Sequence, residues 1–176
     1  MTNEETIMVY HGTSLEKAIQ IALDGAILSP FGKFLREMQI LQKENPKLFE
    51  RCAKHYGTSE LDELALKRAS IGYNEREIEH RVKCISLIDR FENAYGHADE
   101  CEKFLGGIVL GIKISKRNRG NLTATFIPKE QSLDSLKKVA ILPKSMERIG
   151  LIKEAYLKYN PEFFGIDKKR QLFPIQ

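Results

Sequence analysis

Ile7-Met8-Val9-Tyr10-His11 places alternate side chains on opposite sides of an extended chain and then meets Gly12-Thr13. That predicts a short strand closing in a turn, with His11 at its exit. Thr13 and Glu16 have the spacing of a capping box. Leu15, Ala18, Ile19, Ala22 and Leu23 then recur at helical intervals as far as the stop Asp24-Gly25. Ala26 to Ser29 is extended again and ends at Pro30. The chain therefore opens as strand, turn, amphipathic helix and strand.

From Gly32 to about Arg81 long charged stretches take over, with few β-branched runs and breaks at Pro46 and Gly57. Phe34, Met38 and Leu41, followed by Leu48 and Cys52, form one apolar stripe. Leu61, Leu64, Leu66 and Ala69 form another after a start at Thr58 to Asp62, so the segment predicts two or three helices packed as an insertion. Strand character returns at Lys83 to Ile88. Asp89 and Glu92 are spaced as a cap and its partner for a helix with Phe91, Ala94, Tyr95 and Ala98 on one face. Ile108 to Ile114 and Asn121 to Ile127 alternate on either side of the polar turn Ser115 to Gly120, which predicts a hairpin. Lys138 to Leu142 is extended, and Ser145 opens a helix carrying Ile149, Ile152, Ala155 and Tyr156. Beyond Asn160 aromatic residues follow no regular period, and nothing in the chain repeats.

These elements predict a single α+β domain over residues 1–176 with a helical insertion at about 32–81. Of the 176 residues 42% are hydrophobic and 30% charged, which supplies a core and excludes a wholly disordered chain. No apolar run approaches the ~18 residues of a membrane span, and the opening MTNEET lacks a basic, then apolar, leader. A cytoplasmic protein with no membrane contact is expected. Cys52, Cys84 and Cys101 are odd in number and carry no ligand spacing, so they read as reduced thiols. His55, His80 and His97 lack the partners of a metal site, and no metal is expected. Gly106-Gly107 and Gly111 lie inside a strand-like run and do not open a helix, which excludes Rossmann and P-loop nucleotide sites. With 28 Lys+Arg against 24 Asp+Glu, the net charge of +4 permits an anionic partner without requiring one.

The candidate chemistry lies in Tyr10-His11-Gly12-Thr13-Ser14, where a histidine is followed by a glycine that lets a ligand approach the main chain. The order of the strand YHGT, the helix LEKAIQIALDG, the later CISLIDRFENAYGHA and the strand GGIVLGIKI resembles the ADP-ribosyltransferase superfamily. The similarity is to the His-type branch shared by diphtheria-toxin-like and poly-ADP-ribose polymerase-like enzymes. It covers about Ile7 to Gly25 and Lys83 to Leu142, and leaves the helical segment between them unmatched.

That resemblance implies a split, mostly antiparallel sheet with flanking helices, and NAD bound as substrate. His11 would hold ribose hydroxyls, the Gly12 backbone would bind the nicotinamide amide, Thr13 would belong to the same cofactor site, and Ser86 would take the second motif's place. Tyr95 would be a stacking partner, with Phe91 or Tyr73 as alternatives because the second strand has no tyrosine. Glu130 would be the carboxylate that stabilises positive charge on the ribose as nicotinamide leaves. Neither Glu-x-Glu nor Gln-x-Glu surrounds it, so the acceptor, protein or nucleic acid, stays open. The same residues also read as a strand-end histidine bonded to backbone, as core aromatics at helical spacing and as an exposed loop glutamate. Two alternatives keep the fold: a catalytically inactive nucleotide- or partner-binding module, and an enzyme similar to the RNA 2′-phosphotransferases. The usual set of basic positions of those phosphotransferases is not visible in this sequence. The basic turn Lys113, Lys116, Arg117 and Arg119 reads as a solvated turn or, beside the cleft, as a partner of the NAD pyrophosphate or of an acidic or nucleic-acid acceptor, with the tail Lys168-Lys169-Arg170 a weaker signal of the same kind.

Overall fold

A computed structural model describes residues 5–104, 106–116, 124–128, 130–167 and 169–175, with the backbone alone at 124–128. Along the chain run β1 (Thr6–Ser14), α1 (Leu15–Asp24), β2 (Ala26–Leu28), α2 (Pro30–Glu44), α3 (Pro46–Tyr56) and α4 (Leu61–Ala69). The short α5 (Glu75–Glu77) continues into a π-helical turn at Ile78–Val82, followed by β3 (Cys84–Ile88), α6 (Phe91–Glu102) and β4 (Gly107–Ser115). The remainder is β5 (Ala124–Pro128), β6 (Glu130–Ser132), β7 (Leu136–Ile141), α7 (Ile149–Tyr156), β8 (Glu162–Ile166) and β9 (Leu172–Pro174). The protein is thus α+β. Its main sheet has the order β5-β3-β1-β4-β7-β8-β9. The β1–β3, β1–β4, β4–β7 and β8–β9 pairs are antiparallel and β7–β8 is parallel.

The chain divides into two compact units: Met1–Ile27, Leu87–Thr125 and Ser132–Gln176 form the first, and Leu28–Ser86 with Phe126–Gln131 the second. In the first unit β4 is the central strand. Ile108, Leu110 and Ile112 are fully buried and Ile114 nearly so, as expected of alternate positions on one sheet face. On the other face, α6 lies close against β1 and β4 because its contact residues, Ala94 and Ala98, are small and meet glycines. A Cβ on Gly12 would collide with the Ala94 carbonyl, and one on Gly107 with the Ala98 carbonyl.

Helices α1 and α7 are tied by the Tyr156 hydroxyl, which donates to the Ala18 carbonyl at 2.6 Å, and by Tyr159, which donates to Ala22 at 3.0 Å. Burial pushes the Tyr156 phenol far above its ordinary pKa, so it stays a neutral donor. Tyr156→Phe should cost about 1 to 2 kcal/mol, the loss of one buried hydrogen bond. Chemical denaturation checks this, and unchanged stability would contradict it.

The second unit holds the helices from Pro30 to Val82. Ser29 caps α2 by accepting from the Gly32 amide at 3.0 Å, with Pro30 in the first turn, where its missing N–H costs nothing. Asn45 closes α2 and caps α3, accepting from the Leu48 amide at 3.2 Å. Phe31, Ala65, Ala69 and Val82 form one apolar cluster of this unit, and Met38, Phe49 and Leu64 form another.

The expected strand Ile7 to His11 runs on to Ser14, so Gly12 and Thr13 are in-strand and His11 is not at an exit. The cap of α1 is Ser14, which accepts from the Lys17 amide at 3.3 Å, rather than Thr13. Extending the β1–β4 ladder to Ser14 keeps those main-chain groups in a sheet and defers the helix start by one residue. The cap of α6 is Arg90, not Asp89. Ser145 lies within a 3₁₀ turn, Pro143–Arg148, that precedes α7.

The expected hairpin is also corrected. Both edges of β4 are taken, by β1 and β7, and β5 lies next to β3 instead. Residues 121–123 of that hairpin, together with Arg117, Arg119 and Lys168, are outside the described residues. Among the described residues no helix is long and apolar enough to cross a membrane.

Candidate functional site

His11, Gly12, Thr13 and Tyr95 lie in the first unit, and Ser86 and Glu130 in the second. Strand alternation separates the three on β1 into two groups. Gly12 faces α6, and Tyr10 shares that side. His11 and Thr13 point to the other face, opposite Leu110 and Ile108 in the β1–β4 register. Thr13 is buried and His11 half-buried.

Tyr95 packs on the α6 side with Ala94, Val109 and Ala140, and with Tyr10 and Phe91 at its margin. It is therefore on the opposite face of β1 from His11, and the structure does not bring the two together. Its hydroxyl donates to Asp99 at 3.3 Å. Burial first, and then the Asp99 carboxylate, raises its pKa above the ordinary value.

The hydrogen bonds at the two ends of β1 fix where its main chain points. The Leu15 amide donates to the Gly106 carbonyl at 3.1 Å, and the Lys116 amide to the Glu5 carbonyl at 2.8 Å. Because an antiparallel ladder alternates, odd-numbered residues of β1 turn their N–H and C=O toward β4 and even-numbered residues turn theirs to the other edge. Tyr10 uses that edge to meet Ile88 of β3. Two residues further, Gly12 directs one donor and one acceptor to the same side, past the end of this pairing. A primary carboxamide carries the matching acceptor and donor, and the adjacent His11 offers an imidazole on the face away from α6.

In the second unit Glu130 extends from β6, and its carboxylate is 3.8 Å from the Arg36 guanidinium of α2. With the Glu130 side chain 59% exposed, the pair contributes ~0–1 kcal/mol and holds the carboxylate only loosely. Ser86 is exposed on β3, between the buried Ile85 and Leu87. The three cysteines are free thiols. Burial, and then the Glu79 charge, raises the pKa of Cys84, the reverse of what activates a nucleophilic thiol.

One gathering of side chains is new, although the sequence offers Arg170 as a phosphate-binding cation of the tail and Phe91 as a stacking ring. Lys138, Phe164 and Arg170 gather with Tyr10 and Phe91 around a cavity on the α6 face of the first unit. Lys138 alternates with the buried Val139, which is a legible signal. Phe164 comes from the stretch after Asn160, where strands of five and three residues show no clear period, and Arg170 lies between those two strands.

No protein-family model, curated protein or solved structure matches the chain.

Proposed function

We propose that the protein is an NAD-dependent ADP-ribosyltransferase that transfers ADP-ribose to a protein or nucleic-acid acceptor. The observation that carries this reading is the main chain of Gly12, whose N–H and C=O leave β1 together beyond the Tyr10–Ile88 pair and complement the carboxamide of nicotinamide. His11, next in the chain, binds ribose hydroxyls. The bond from ribose C1 to the nicotinamide nitrogen breaks with its electron pair going to nicotinamide. An acceptor nucleophile then bonds to C1 and gives up a proton. Glu130, assigned from the sequence resemblance, stabilises the positive charge on the ribose between these events. Tyr95 takes no part, because its ring belongs to the packing of α6.

Titration calorimetry with NAD tests the binding half. The wild-type chain should bind, and His11→Ala should weaken binding by about tenfold, the loss of one or two hydrogen bonds to the ribose. Equal affinity of the two proteins would remove His11 from the site.

A further inference from the structure

The cavity on the α6 face of the first unit has a volume of about 420 Å³, the size of a small-molecule site. Its floor is Gly111, at the point where the β4–β7 register shifts by a bulge. A Cβ there would come within 3.1 Å of the Lys138 Cβ and 3.4 Å of the Tyr10 ring, so the missing side chain is what leaves the floor open. Aromatic rings stand on two sides. Tyr10 and Phe91 meet edge to face at 5.6 Å, and Phe164 faces in from β8.

Two cations line the same space. The Lys138 ammonium lies 5.3 Å from the Phe164 ring centre, and the Arg170 guanidinium 5.1 Å from that of Tyr95. Among the described residues neither has a carboxylate within ion-pair distance. Glu92, in the first turn of α6, contributes an acceptor at the rim.

We infer that this cavity binds a nucleoside monophosphate. Its aromatic base would lie against Tyr10, Phe91 and Phe164, its phosphate would meet Lys138 and Arg170, and N–H groups on its base edge would donate to Glu92. Stacking walls accept any base, and Lys and Arg hold a phosphate by charge-assisted hydrogen bonds. The aromatic walls fit a ring and the two cations fit an anion, so a molecule that carries both matches the lining as a whole. Because His11 points to the opposite face of β1, this inference does not depend on the transferase reading.

Calorimetric titration of the full chain with AMP, GMP and UMP, beside adenosine and inorganic phosphate, tests it. At least one nucleotide should bind about tenfold more tightly than either fragment, and Lys138→Gln and Arg170→Gln should each weaken it by about tenfold. Arg170 sits in an exposed turn, so its variant reports even if the β7 substitution fails to fold. His11→Ala should leave the nucleotide affinity unchanged. Absence of nucleotide binding, binding as tight by adenosine or phosphate alone, or unaltered affinity in Arg170→Gln would overturn the inference. So would loss of nucleotide binding in His11→Ala, which would move the ligand to the proposed NAD site.

Discussion

Gly12→Ala is expected to destabilise the first unit by about 3 kcal/mol, the upper part of the range for forcing an atom into a packed core. The added methyl would overlap the Ala94 carbonyl and lie 3.1 Å from the Ala98 amide. Both are backbone atoms of α6, so no side-chain rotation relieves the clash. The helix must instead move off a sheet face it contacts through Ala94 and Ala98, opening the cluster that includes Val109, Ala140 and Leu142. Gly96→Ala is the matched control. Gly96 is exposed in the same helix, a Cβ there meets nothing within 4 Å, and alanine should stabilise by ~0.5–1 kcal/mol through helix propensity. Chemical denaturation of both variants checks the pair. A Gly12→Ala protein as stable as wild type would mean that the helix does not sit on this glycine.

Glu130→Gln is expected to lower nicotinamide release from NAD by about 100-fold or more while leaving NAD affinity within about twofold. The magnitude is that of removing one preorganised electrostatic group from a charge-developing step. The amide keeps the shape of the carboxylate, loses its charge and exchanges one acceptor oxygen for an N–H donor. A transition state with positive charge on the ribose is therefore affected far more than bound NAD. Folding should be unaffected, because the Arg36 contact at 3.8 Å joins an exposed carboxylate to a half-buried arginine and contributes ~0–1 kcal/mol. Undiminished release by this variant would take the catalytic role away from Glu130.

The two expectations for Gly12 show what each kind of information supplies. Sequence singled out the glycine after His11 because a residue without Cβ lets another group come close. The structure adds that the close group on one side is α6, while the main-chain N–H and C=O point along the strand edge, toward neither helix nor β4. Side-chain alternation was legible wherever a strand was long enough. Ile108, Leu110, Ile112 and Ile114 do share one buried face, and the apolar stripes of Phe34, Met38 and Leu41 and of Leu61 and Leu64 do lie in helices. Strand partners were not legible. Alternation in Asn121 to Ile127 cannot say which edge the segment joins, and a central β4 with both edges occupied left β5 beside β3. Tyr95 was placed on the correct face of its own helix, but nothing local to α6 tells which face of β1 that helix covers. Arg170 adopts a left-handed backbone, φ 63°, in a turn after β8, and such a turn has no periodic trace to read.

The central claim is transfer of ADP-ribose, and its most direct test uses NAD carrying label on the adenine, incubated with the purified protein and a cell extract. Nicotinamide release is measured in the same reactions, with Glu130→Gln alongside. The predicted result is release by the wild-type chain with label fixed to protein or nucleic acid, and neither in the variant. NAD binding without release or transfer would leave a nucleotide-binding module and contradict the transferase, and absence of NAD binding would contradict the assignment of His11 and Gly12 as well.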